Sequence, residues 1–177
     1  MILINVQTMS QVYQRVALHR QPISFLKYLP LVNVFISACN DRIVKFWRVK
    51  QRKPTVFITF KIEKDICDAM VITSPKESTT IERFLLIFKS GESEIFEFDS
   101  ADNSLHWIES EKTREHDTQL TGFDYNSTLG LILTADQGGN IKVWTRSKKF
   151  LREFTLPTRV DSVCFLNSAG DILVSHA

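Results

Sequence analysis

The stretch SACNDRIVKFW (residues 37–47) decides the fold, because TADQGGNIKVW (residues 134–144) repeats it. Each begins with a small hydroxyl residue and Ala, and each closes with Lys, one apolar residue and Trp. The match extends outward without a gap. His19 precedes Trp47 by 28 residues, and His116 precedes Trp144 by the same 28. At that offset Tyr28 meets Tyr125, Ala38 meets Ala135 and Lys45 meets Lys142, with mild exchanges between them such as Ile23 for Leu120 and Val44 for Ile141. A coincidence over such a length is improbable, so the chain contains an internal repeat, and the repeat governs the fold.

The copies lie 97 residues apart (144 − 47), which suits two supersecondary units rather than one. LLIFKSGESEIFEFD (residues 85–99) supplies a degenerate middle copy, with Phe98 at the Trp position. The polar segment SPKESTTIER (residues 74–83) reads as a loop insertion. Within the window from His19, ISFLKYLP, LVNVFISAC, RIVKFWRV and PTVFITFKI read as four strands. They are short, rich in β-branched and aromatic residues, and separated by turn signals at Asn40-Asp41. LTGFDYN, GLILTAD, NIKVWTR and KKFLREFTL read the same way, with turns at Leu129-Gly130 and Gly138-Gly139-Asn140. Four short antiparallel strands per repeat make an all-β chain of β-propeller blades.

At these residues the chain resembles the WD-repeat family. The resemblance implies a buried hydrogen-bond network in each blade: a His before the first strand, a Ser or Thr ending the second, an Asp in the following turn and a Trp closing the third. His19, Ser37, Asp41 and Trp47 match all four positions. His116, Thr134 and Trp144 match three, and Gly138 stands where the Asp belongs, unless Asp136 substitutes. The expectation is a formed network in the first blade and an incomplete one in the third. A buried indole N–H needs an acceptor, which is the physical demand such a network meets.

The predicted blades span about residues 18–62, 65–109 and 115–156, with half-blades at 1–17 and 157–177. Closed rings have typically 4–8 blades. The favoured expectation is a piece of a larger propeller, and the alternative is a four-blade ring closed by the two halves.

Composition fits a water-soluble fold: 44% hydrophobic residues, thirteen Phe and a net charge of +2. That charge is too small to point to nucleic acid or a membrane surface. No apolar run approaches the roughly 20 residues of a spanning helix, and the N-terminus lacks a secretory pattern. Cys39, Cys67 and Cys164 show neither pairing nor metal spacing and read as reduced core thiols. A cytoplasmic setting, extending to cytoskeletal or ciliary structures, is the corresponding expectation.

No catalytic, cofactor or metal site is read from the sequence. His19 and His116 are repeat-equivalent, hence structural; His106 reads as a surface residue. Asp65 and Asp68 have no His or second Cys nearby in sequence, Asn126-Ser127-Thr128 reads as a turn, and Gly138-Gly139 precedes a strand rather than a helix. Two basic runs follow the closing Trp residues: Arg48, Lys50, Arg52 and Lys53, then Arg146, Lys148, Lys149 and Arg152. They form a candidate edge for an acidic partner such as tubulin. The function expected is that of a non-catalytic protein-interaction scaffold. Its partners would be other proteins or the rest of its own propeller. The alternative is a propeller hydrolase or lactonase, with acids and His at the channel mouth; there the loops carry Arg20, Gln21, Lys64, Asp117 and Arg159.

Overall fold

The structure, a computed structural model, describes residues 2–5, 7, 10–14, 19–51, 53–72, 80–110 and 115–176. Arg52, residues 74–79 of the polar insertion and residues 111–114 before the third repeat lie outside the described residues.

Among the described residues the chain forms sixteen strands, and it divides into two compact units, Met1–Ile66 and Cys67–Ala177. The first unit holds the antiparallel pair β1 (Ile2–Asn5) and β2 (Ser10–Gln14). It also holds a four-stranded sheet of β3 (Ile23–Leu29), β4 (Val34–Cys39), β5 (Ile43–Lys50) and β6 (Lys53–Lys61), in that order. The second unit holds two more such sheets. One is β7 (Ile66–Val71), β8 (Ile81–Phe88), β9 (Ser93–Asp99) and β10 (Ser104–Ile108), its first residue falling at the unit boundary. The other is β11 (Leu120–Asn126), β12 (Leu131–Asp136), β13 (Asn140–Thr145) and β14 (Phe150–Thr155). A hairpin of β15 (Val160–Phe165) and β16 (Ile172–His176) follows. The all-β reading in four-stranded antiparallel, blade-like sheets is therefore the fold observed, and both Trp strands are third in their sheets.

Backbone geometry repeats with the sequence. The first and third sheets each carry a bulge at Ile23/Phe25 and at Leu120/Gly122, and another at Phe46/Trp47 and at Val143/Trp144. Each pair is 97 residues apart. Three left-handed residues recur at that same offset: Asn33 and Gly130, Arg42 and Gly139, Gln51 and Lys148. The hairpin repeats part of this 40 residues further on, with a bulge at Val160/Ser162 and a left-handed Gly170. Turns and bulges set register, so their recurrence places equivalent side chains at equivalent sites.

Burial follows the strand readings. In β4, β8 and β12 nearly every residue is buried, as continuous apolar runs require. The outer strand β14 is exposed along almost its whole length. In the first unit Phe46 lies against Phe57 and Phe60, at centroid separations of 6.5 and 6.1 Å. In the second unit the third sheet is covered on both faces. Leu120, Ile132 and Trp144 pack on Met70, Ile72, Leu85, Ile87 and Ile95 of the second sheet, while Leu133, Ile141 and Val143 pack on Val160 and Val163 of the hairpin. Burying each such side chain contributes about 1.5–3 kcal/mol. Gly122 permits the second contact. A Cβ there would lie 2.7 Å from the Val163 nitrogen and 2.8 Å from its Cγ1, so β11 and β15 approach closely only because the side chain is absent.

Candidate functional site

The third sheet contains a closed polar chain at its heart. Trp144 Nε1–H donates to Thr134 Oγ1 at 2.8 Å. Thr134 has one hydroxyl proton left to give, and His116 Nε2 lies 2.8 Å away to accept it. That fixes the tautomer: His116 Nδ1–H donates to Asp136 Oδ2 at 2.9 Å. Asp136 Oδ1 accepts the Asn140 backbone N–H at 2.9 Å, and Oδ2 also accepts Asn140 Nδ2–H at 3.1 Å. His116, Thr134, Asp136 and Trp144 are all buried, at 4% exposure or less. Burial lowers the His116 pKa, against the pull of Asp136. The ring is therefore neutral at neutral pH, and its contact with Asp136 is a hydrogen bond rather than an ion pair. Burial acts to raise the Asp136 pKa, but the bonds from His116 and Asn140 outweigh it and hold the carboxyl below its ordinary value.

The expectation of an incomplete third network at Gly138 is thus corrected. Asp136, the last residue of β12, supplies the carboxylate, and Asn140 across the turn braces it.

The first sheet departs in the other direction. His19 Nε2 meets Ser37 Oγ at 2.7 Å, as expected. The rest differs. Cys39, at the register position of Asp136, stands between His19 Nδ1 (2.7 Å) and Asp41 Oδ1 (2.5 Å). Asp41 also accepts the Ile43 N–H at 3.3 Å. The Trp47 indole is stacked on its cross-strand neighbour Phe35, centroids 4.9 Å apart. Its buried Nε1–H finds no acceptor among the described residues. Trp47 is therefore not a member of the network the sequence assigned to it. In the third sheet Ile132 occupies the Phe35 position and offers no ring to lie on. Burial pushes the Cys39 thiol up to about 11, with Asp41 adding to the effect. The Cys39 hydrogen bond lowers the half-buried Asp41 carboxyl, and burial followed by Lys45 lowers His19.

The second sheet replaces polar atoms with rings. Phe84 and Phe96 face each other across β8 and β9 and stack at 5.7 Å. The register places Phe96, not Phe98, at the Trp position, because Phe84↔Phe96 corresponds to Phe35↔Trp47 and Ile132↔Trp144. Phe98, two residues on and opposite Glu82, is fully buried.

The basic runs do not behave as a uniform edge. Lys50, Lys53, Lys149 and Arg152 are exposed, while Arg48 lies 4.4 Å over the Phe57 ring. Lys148 is the correction: it is buried, and its Nζ donates to the Ser93 carbonyl and to the Glu115 carboxylate. Burial raises the Glu115 pKa and Lys148 opposes it. Arg146 Nε donates to the Ile72 carbonyl at 2.9 Å. Charge alone suggests a solvent-facing edge; Lys148 is drawn in by the Ser93 carbonyl and the Glu115 carboxylate, whereas Gln51, left-handed at the equivalent position, is exposed.

Other readings resolve more simply. His106 is exposed and meets Ser104 Oγ at 2.9 Å. Asp65 pairs with Arg42 at 2.8 Å, and Asp68 accepts the Ala69 N–H. Asn126 caps its own turn through Thr128 and Leu129. Of the three thiols only Cys39 is a core residue; Cys67 is half-buried and Cys164 is exposed on β15, because the hairpin leaves that face uncovered. His19, Cys39 and Asp41 are the one group of three metal-competent donors among the described residues. Sequence reasoning missed Cys39, Asn140 and Glu115; for Cys39 the available signal was its place between a network His and a network Asp. Among the described residues no helix is long and apolar enough to cross a membrane.

No protein-family model matches the chain, and no curated protein matches it either.

Proposed function

We propose that the chain is part of a WD-type β-propeller and acts as a non-catalytic protein-interaction scaffold. The observation that carries this reading is how the third sheet uses its polar residues. His116, Thr134 and Asp136 are the residue types of an acid–base site, yet each is buried and spends its hydrogen bonds on the others and on Trp144 and Asn140. They hold the sheet together and leave nothing for a substrate. What the second unit offers outward is apolar. A groove between the outer strands of the third sheet and the hairpin is lined by Leu129, Leu151, Phe154, Phe165 and Ile172, flanked by Arg152 and Asp171. Leu166 and Leu173 are 64% and 58% exposed. Contiguous exposed apolar surface rimmed by charge marks protein–protein contact. The partner is another protein or the remainder of the same propeller. The exposed Lys149 and Arg152 suit an acidic surface, tubulin among them, in a cytoplasmic, cytoskeletal or ciliary assembly.

The test is affinity purification from the source tissue with the full-length protein, followed by the same experiment with Leu151→Glu plus Phe154→Glu. Both positions are exposed on β14, so the melting temperature should hold. Specific partners recovered by the wild type and lost by the double variant support the reading. Unchanged recovery overturns it.

A further inference from the structure

We propose that His19, Cys39 and Asp41 form a zinc-binding site. His19 lies before β3, Cys39 ends β4 and Asp41 sits in the turn to β5, so the first unit alone brings them together. The imidazole nitrogen, the sulfur and a carboxylate oxygen all lie within 4.8 Å of one another. Zinc takes Cys sulfur at about 2.3 Å and His nitrogen at about 2.0–2.1 Å, which sets tetrahedral donors about 3.5 Å apart. Sγ lies 2.7 Å from Nδ1 and 2.5 Å from Oδ1, so side-chain adjustments of about an ångström reach that geometry.

The donor chemistry selects the ion. One sulfur, one nitrogen and one oxygen suit a borderline cation, whereas calcium and magnesium prefer oxygen alone. A thiolate and a carboxylate together neutralise a divalent charge. Binding displaces the Cys39 proton to solvent, as coordination of a thiol requires. Three protein donors leave a fourth position to water or a partner's side chain.

Two further observations favour this over a plain hydrogen-bond lock. The first is a ready outer shell. Ser37 Oγ sits 2.7 Å from His19 Nε2, able to accept that N–H once Nδ1 holds the ion, and the Ile43 N–H steadies Asp41. The second is the contrast with the third sheet. There the chain of hydrogen bonds runs through to Trp144, whereas here Trp47 is left out and a thiol takes the carboxylate's register position. Gly138 holds the place of Asp41, so the third sheet has no such donor set. Lys45 is close enough to disfavour positive charge on His19; it tempers the site.

The experiment is a titration of the full chain, reduced and stripped of metal, with Co²⁺ as optical probe and Zn²⁺ as competitor. The expected result is one equivalent bound, a sulfur-to-cobalt charge-transfer band in the near ultraviolet, and displacement by zinc. Cys39→Ser should abolish the band, while Cys67→Ser plus Cys164→Ser should leave it. Asp41→Asn, which keeps the thiol and the shape, should weaken binding by about tenfold or more, and Lys45→Met should tighten it. Absence of the band in the wild type overturns the proposal. So does a band retained in Cys39→Ser, a band lost in the Cys67/Cys164 variant, or unchanged affinity in Asp41→Asn. Circular dichroism on each variant separates loss of binding from loss of fold.

Discussion

The first and third sheets share bulges, left-handed turns and the register of their Trp strands, yet their buried polar chemistry differs. In the third, every proton from Trp144 to Asp136 has a defined acceptor. In the first, the same path breaks at Trp47, and a thiol stands where the carboxylate would be. The backbone repeat is thus tolerant of its polar filling. The second sheet makes the point again, with Leu86 and Glu94 in place of hydroxyl and Lys, and Phe96 in place of Trp. What the three sheets have in common is buried apolar area and strand register; the network is an addition that one sheet completes.

That comparison can be broken most forcefully at Trp144. Trp144→Ala should cost about 3–5 kcal/mol in chemical unfolding, as for other buried aromatic deletions. A loss below about 1 kcal/mol would mean that the third sheet does not depend on it. Next comes Asp136→Ala, which strands His116 and Asn140 and should cost about 1–3 kcal/mol. Asp41→Ala, at a half-buried carboxyl where Asp136 is fully buried, should lower the melting temperature by less; the reverse order would sink the asymmetry between the two sheets. A finer discrimination comes from replacing each Trp by Phe. Trp144→Phe removes a satisfied donor and should cost about 1 kcal/mol, whereas Trp47→Phe removes an unsatisfied one and should be near neutral. Equal effects would show that the indoles are equivalent after all.

The smallest effect is the dependence on pH. His116 has a folded pKa below its ordinary 6.5, so the unfolded chain binds the proton more readily. Stability is then complete above about pH 7 and declines as pH falls through 6.5. Asp136, also lowered, extends the decline into the carboxylate range. His116→Gln should flatten the slope between pH 7 and 5. His19, shifted in the same direction, should leave a residual slope. An unchanged profile in His116→Gln would show that the ring is not held neutral.

The fold was legible because a gapless 97-residue repeat fixes where strands and turns recur. In the second sheet the strand was legible but its Trp position was not, since Phe96 and Phe98 share one face and only the register selects Phe96. The site was half legible. Ser37 and Thr134 were identified as the hydroxyls that meet His19 and His116, and both do. Which carboxylate closes each network was not, because Asp136 and Asp41 sit two residues apart in the repeat and only the turn's geometry selects between them. Indole orientation was likewise hidden, since it depends on whether the cross-strand neighbour is Phe35 or Ile132. Lys148 misled for a simpler reason: a run of charges says nothing about which member has a buried carbonyl and carboxylate waiting.

Lys148 and Lys149 are neighbours in sequence with opposite fates: the first is enclosed with Glu115 and Ser93, the second is bathed in solvent. An amine-acylating reagent should therefore tag Lys149 at the rate of an open lysine and reach Lys148 only when the second unit opens. The tags on this pair, resolved by fragmenting the peptide that carries both, make an internal clock. Lys149 reports reagent exposure and Lys148 reports the opening rate. The chain carries its own probe of local unfolding, needing no substitution.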